Sequence, residues 1–190
     1  MSLWSSDGGY RVQDEQRVVQ QALQGDLEAF ARLYEGHLDK IYRYMFLRVG
    51  DRGEAEDMTQ QVFLKALQSI PDFRWKGTPV SAWLFRIAHN LVIDYWRKEK
   101  KRATIPLDES VAGTGMNPEL MAEYRLDIRQ LVLATKRLTE AQREVIGLRF
   151  AGGLSVAEVA EAMGKSQGAV KALQHSAIVA LRKALSAGEG

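Results

Sequence analysis

The sequence predicts an all-α chain of two small helical domains joined by a flexible linker, the second domain containing a helix-turn-helix. Three observations predict it. Apolar residues recur every three or four positions along nearly all of the 190 residues, and no long run alternates with the period of two that a half-buried strand shows. The pairs Asp51/Glu54, Thr139/Gln142 and Ser155/Glu158 repeat the spacing of a capping box at helix starts. With 46% hydrophobic residues, a chain of this length can fill one medium core or two small ones.

The elements follow in order. A first helix spans about Glu15 to Gln24, and Gly25-Asp26 restarts the chain, with Asp26 as N-cap of a helix from Leu27 to Tyr34. Leu38, Ile41, Tyr42, Met45 and Val49 form the stripe of a next helix that Gly50 ends. Asp51 opens a helix to about Ser69, Pro71 blocks its continuation, and a loop runs from Pro71 to Pro79. The long helix Val80 to Arg102 precedes Ala103 to Asn117, a small, polar, turn-forming stretch without an apolar stripe. These fifteen residues make the linker, and fully extended they reach roughly 50 Å at ~3.3 to 3.6 Å each. Pro118 suits the first turn of a helix to about Arg137, and Thr139 and Ser155 open the next two. The expected domains are therefore 15–102 and 118–186, with 103–117 between them.

Composition removes several classes. Without cysteine there is no disulfide frame, thiol nucleophile or thiolate metal site, and His37, His89 and His175 are too scattered in sequence to form a ligand cluster, so neither cofactor nor metal is expected. No apolar run reaches the ~18 to 20 residues of a membrane helix, and the start lacks a signal pattern, so a cytoplasmic protein without membrane insertion is the expectation. The net charge is only +2, but the basic residues are concentrated: Arg97, Lys98, Lys100, Lys101 and Arg102 lie almost together, and Ala162 to Gly188 contains no acid.

Both basic regions fall where DNA contact is chemically reasonable. After Ser155, the residues Val156, Val159, Ala160 and Met163 give a short helix one inner face, Gly164 allows a turn, and Ser166 caps a second helix carrying Val170, Leu173, Ala177 and Leu181. Gln167, Lys171 and Gln174 share an outward face near the start of that helix, where Gln can read adenine and Lys can reach guanine or phosphate; Ser166 and His175 complete the expected contact set. An ordinary helical hairpin with a solvated basic face fits the same pattern. In the long helix Leu84, Ala88, Leu91 and Tyr95 make the buried stripe, while Arg86, Asn90, Asp94, Arg97 and Lys101, with Lys98 beside them, form another face. Asn90 offers a paired donor and acceptor to a base edge; Asp94 repels phosphate, so it either accepts from a base amino group or orients Arg97 or Lys98. The loop interleaves Phe73, Arg74, Trp75 and Lys76, a pattern that suits stacking and neutralising unpaired bases and that core packing of Phe73 and Trp75 fits equally well, whereas Trp83, Phe85 and Trp96 read better as core.

Three segments in this order carry a family resemblance: Asp57-Met-Thr-Gln-Gln-Val-Phe-Leu-Lys-Ala, then Trp83-Leu-Phe-Arg-Ile-Ala-His-Asn with Asp94 and Arg97, then Leu138-Thr-Glu-Ala-Gln-Arg-Glu-Val-Ile through the helix-turn-helix. Together they resemble a bacterial RNA polymerase sigma factor of the extracytoplasmic-function group, over about Val18 to Leu185. The resemblance implies a promoter-specificity subunit rather than an enzyme. It implies that Asp57, Gln60 and Gln61 meet the clamp helices of the polymerase β′ subunit, with the β subunit a further contact. It also implies that Asn90 and the loop Phe73 to Lys76 capture melted minus-ten bases, that the helix after Ser166 reads the minus-thirty-five element, and that an anti-sigma partner exists. The chain departs from many relatives in having Gln61 where Glu is frequent, and Leu173 and Ser176 where basic residues are frequent. From the residues alone, Asp57, Gln60 and Gln61 are simply a polar stripe opposite Met58, Val62 and Ala66. A two-domain regulator that binds duplex DNA without polymerase stays open at this point, although it leaves the Phe73 to Lys76 loop unexplained. A nucleic-acid enzyme lacks support, since the sequence pairs no nucleophile with a base and has no phosphate-cradling Gly loop.

Overall fold

The computed structural model describes residues 12–73, 79–102 and 132–186, and these are helical with turns between. Arg74, Trp75, Lys76, the linker 103–117 and residues 118–131 of the helix expected after it lie outside the described residues. The first half contains α1 (Val12–Leu23), α2 (Leu27–Val49), α3 (Arg52–Ser69), a 3₁₀ turn at Ile70–Asp72 and α4 (Val80–Arg102). In the second, residues 132–136 are helical, and then follow α5 (Glu140–Ile146), a π turn at Gly147–Ala151, α6 (Val156–Met163) and α7 (Gln167–Ser186).

Capping chemistry sets most boundaries. Asp26 accepts from Glu28 N at 2.9 Å and from Ala29 N at 3.1 Å, and Gly50 ends α2 in the left-handed region at φ 80°. Asp51 caps α3 by accepting from Glu54 N at 2.9 Å, as a simple N-cap rather than a full box. Thr139 with Gln142 and Ser155 with Glu158 form complete reciprocal boxes. One expectation is corrected: the two helices read across Leu27–Tyr34 and Leu38–Val49 are one helix of 23 residues. Nothing between Tyr34 and Leu38 supplies a cap, and the His37 ring is 2.9 Å from the Leu33 carbonyl, one turn back. Gly36 costs about 1 kcal/mol in a helix interior, less than the ~1.5 to 3 kcal/mol gained by burying each of Leu33, Ile41 and Met45 on the continuing stripe.

The helices of the first half pack α1 on α2, α2 on α3, and α3 on α4. Val18, Val19, Leu33, Ile70 and Val80 close a small cluster that seats α1. The larger cluster is continuous across both halves, running from Ile41, Tyr44 and Met45 of α2 through Leu84, Phe85 and Ala88 of α4 to Val145, Leu148, Val159 and Val170 of the second half. Two glycines permit that approach. A Cβ on Gly147 would stand 3.1 Å from the Tyr44 ring, and one on Gly152 would stand 2.8 Å from the Phe85 ring.

Candidate nucleic-acid interface

Helix α4 divides into two faces, as its sequence period demands. Leu84, Ala88 and Leu91 are buried and Tyr95 partly so, and Phe85 is fully buried against Tyr44 in an edge-to-face pair with centroids 5.5 Å apart. Arg86, Asn90, Arg97, Lys98 and Lys101 are exposed on the rest of the helix. Asp94 accepts a hydrogen bond from Arg97 Nη2 at 2.6 Å, so of its two expected roles the geometry displays the orienting one. Asn90 is exposed one turn before Asp94 on the same helix. Phe73 packs on Trp83 with ring centroids 4.6 Å apart, which ties the start of the loop to the base of α4. Trp83 and Trp96 are half-buried against the core, as expected.

The helix-turn-helix is built as its sequence predicts. Gly164 turns the chain at φ 62°, and Ser166 Oγ accepts from Ala169 N at 3.2 Å to open α7. Val170 and Ala177 anchor α7, leaving Gln167, Lys171 and His175 exposed four residues apart. The first turn of α7 has no acid, and exposed Lys165 precedes it, so the positive end of the helix dipole and a lysine face the same solvent region. Gln174 is half-buried, with Oε1 accepting from Arg149 Nε at 3.0 Å. That bond leaves its amide nitrogen as the group able to donate to a base. Arg149 was not singled out by the sequence, because it lies 25 residues from its partner on the π turn.

Asp57, Gln60 and Gln61 are all exposed and line a groove of about 520 Å³ with Phe30, Phe63, Leu64 and Leu67. Met58, Val62 and Ala66 are buried behind them, as the stripe predicts. Leu64 at 56% exposure and Leu67 at 39% were missed, although they continue the Gln60 face at helical spacing. Exposed leucines on the polar side of an amphipathic helix are the signal that could have found them. Among the described residues, no acidic or histidine cluster is placed to hold a metal ion, and no helix is long and apolar enough to cross a membrane.

Residues 33–102 match the sequence profile of Sigma-70 region 2, and residues 134–183 that of Sigma-70 region 4. The chain is 35% identical to the ECF RNA polymerase sigma factor SigW of Bacillus subtilis (strain 168), over 88% of this chain and 94% of that protein. It belongs to the extracytoplasmic-function sigma factors. Members of this family are promoter-recognising subunits of RNA polymerase, and α4 and α7, which carry the two exposed basic faces, fall one in each matched region. The sigma factor BldN of Streptomyces coelicolor is 39% identical over 88% of this chain, which spans 64% of BldN's length. Among solved structures, CnrH in complex with the cytosolic domain of CnrY superposes with a TM-score of 0.68 at 25% identity, covering 91% of this chain and 97% of CnrH. The sigma factor RpoE of Bartonella quintana, in complex with the anti-sigma factor NepR, gives 0.68 at 26% identity over 83% of this chain and 96% of RpoE.

Proposed function

We propose that this sigma factor carries core RNA polymerase to its promoters from the cytoplasm, without itself catalysing a reaction. It does so through two readers on separate units, 15–102 and 118–186, joined by 103–117. Helix α7 lies in the major groove of the minus-thirty-five duplex, with Gln167, Gln174 and His175 toward base edges and Ser166 and Lys171 toward the backbone. Helix α4 holds the melted minus-ten strand: Asn90 reads a base edge, the Asp94-oriented Arg97 with Arg86, Lys98 and Lys101 neutralises phosphate, and the loop Phe73, Arg74, Trp75 and Lys76 supplies stacking and charge. The groove bearing Asp57, Gln60 and Gln61 receives the β′ clamp helices, with Leu64 and Leu67 as its apolar floor, and the β subunit is a further contact. An anti-sigma factor is the expected regulator, by analogy with the Bartonella quintana relative captured with NepR.

The observation that carries this reading is the pairing of two chemically distinct basic faces, one amide-bearing on α4 and one glutamine-lysine on α7, with an exposed groove on α3 that neither uses. Co-purification with core polymerase tests it. The parent chain should be retained, and Leu64→Asp, which puts a charge in the apolar floor, should lower retention at least roughly tenfold, as expected for losing a central apolar contact. A chain that ignores core polymerase yet binds duplex DNA tightly would instead be a free-standing regulator.

A further inference from the structure

Helix α4 carries an exposed strip that is narrower than its basic composition suggests. Among the described residues from Val80 to Arg97, those exposed are Arg86, Asn90, Ile93 and Arg97, separated by four, three and four positions and so aligned along one face. Three of them have an evident use against a nucleic acid: Asn90 offers a donor and an acceptor to a base edge, and Arg86 and Arg97 are cations for phosphate. Ile93 has neither charge nor hydrogen-bonding group. It is 44% exposed, whereas Leu91 and Val92 beside it are 7% and 0% exposed. The helical period that buries Leu84, Ala88 and Leu91 puts Ile93 on the opposite side, so the core is filled without it.

Both ends of the strip are held. Trp83, one turn before Arg86, packs on Phe73 with ring centroids 4.6 Å apart. Arg97 Nη2 donates to Asp94 Oδ1 at 2.6 Å, so its guanidinium leans back over the preceding turn, the one next to Ile93.

A lone exposed isoleucine on a surface that nothing touches needs no explanation. Ile93 differs because of where it lies. Asn90 and Arg97 are seven residues apart, roughly 10 Å along the axis at ~1.5 Å per residue, and Ile93 stands between them. A strand whose base meets Asn90 and whose phosphate meets Arg97 therefore passes over Ile93. Whatever it lays there loses water and gains no hydrogen bond. A phosphate oxygen, the N4 amino group of cytosine, or the polar major-groove edge of a purine would be left unpaired. Thymine instead presents a C5-methyl group on that edge, and a methyl against an aliphatic side chain is the pairing that releases water at no such cost.

We infer that Ile93 is a specificity-determining residue of the minus-ten reader, selecting thymine through its C5-methyl group beside the base that Asn90 reads. The inference rests on the proposed role of α4 in holding the melted strand and adds to it the identity of one base. Asn90 and Ile93 then work by opposite means: the amide selects by the hydrogen bonds it makes, the isoleucine by those it cannot make.

Deoxyuridine provides the test, since it keeps every hydrogen-bonding group of thymine and lacks only the methyl. Holoenzyme assembled from core polymerase and the parent chain is used on a promoter recovered from a randomised library, with each thymine of the minus-ten element replaced singly by deoxyuridine. Transcription should fall about fourfold at one position, the value for one buried methyl group, and roughly tenfold or more when cytosine replaces thymine there. With Ile93→Ala, thymine and deoxyuridine at that position should be transcribed equally. Ile93→Val, which keeps a branched pair of methyl groups, should restore the discrimination, and Asn90→Ala should leave it as in the parent. A purely structural role for Ile93 would lower transcription from both templates alike and leave their ratio intact. A ratio unchanged by Ile93→Ala, or a recovered minus-ten element without thymine, would overturn the inference. Failure of the parent chain on the unmodified template would sink the sigma-factor function itself, and this inference with it, before any deoxyuridine is introduced.

Discussion

Tyr44→Phe removes one oxygen from the buried cluster and leaves its packing in place. The phenol is fully buried and donates at 2.7 Å to the ionised Glu144, and its ring keeps the edge-to-face contact with Phe85. Burial, then the Glu144 charge, push the Tyr44 hydroxyl well above its ordinary range, so it is a protonated donor at neutral pH. A hydrogen bond to a charged acceptor contributes about 1.5 to 3 kcal/mol, and because Glu144 retains Arg48 and His89 the loss should be about 2 kcal/mol. For a chain of 150 to 250 residues that corresponds to a fall in Tm of roughly 4 to 8 °C. Urea unfolding followed by tryptophan fluorescence is the assay, since Trp83 and Trp96 both lie on α4. Combined with Glu144→Gln, the double mutant should show a coupling of roughly 1.5 to 2 kcal/mol. A change in Tyr44→Phe below about 0.5 kcal/mol, or strict additivity of the pair, would refute the assignment of a charged hydrogen bond.

Three further outcomes are expected. Lys171→Ala should weaken duplex binding and reduce the slope of log affinity against log salt by about 0.9, the value for one lost phosphate contact; an unchanged slope removes Lys171 from the contact list. Asn90→Ala, at an exposed position, should leave stability within about 0.5 kcal/mol of the parent while lowering preference for the cognate minus-ten base by roughly tenfold in a strand-binding competition. Glu144 titrates below the ordinary carboxyl value of 4.5, so its stabilisation is fully present above that pH and lost as pH falls through the folded-state value. The gap in Tm between the parent and Glu144→Gln should therefore stay constant at neutral and mildly acidic pH and shrink below about 4.5. A gap that shrinks near pH 7 would assign the titration to another group.

What the sequence made legible was local. Asp26, Thr139 with Gln142, Ser155 with Glu158, and Gly164 act within a few residues of themselves, and each does in the structure what its spacing implies. The split of α2 failed because Leu27 to Tyr34 and the stripe from Leu38 were read as separate helices, although the apolar stripe runs on across Gly36 and outweighs its propensity cost. The buried Tyr44–Glu144 hydrogen bond was out of reach for a different reason: the two residues are 100 positions apart, and a long-range polar contact has no periodicity to announce it. His89 was weighed only as a metal ligand, so its contact with Glu144 of the second half went unread. At the proposed reading faces, the exposure of Asn90, Gln167 and Lys171 followed from helical period alone, whereas the tethering of Gln174 by Arg149 depends on how the π turn packs against α7. Leu64 and Leu67 could have been read from the same period as Gln60, had exposed apolar residues been followed as closely as buried ones.

Run-off transcription with core polymerase on a library randomised over the upstream region tests the central claim most directly. With the parent chain, the transcribed templates should be enriched for two conserved blocks at one fixed separation, one of them lost with Asn90→Ala and the other weakened with Lys171→Ala. Start sites indistinguishable from those of core polymerase alone would contradict it.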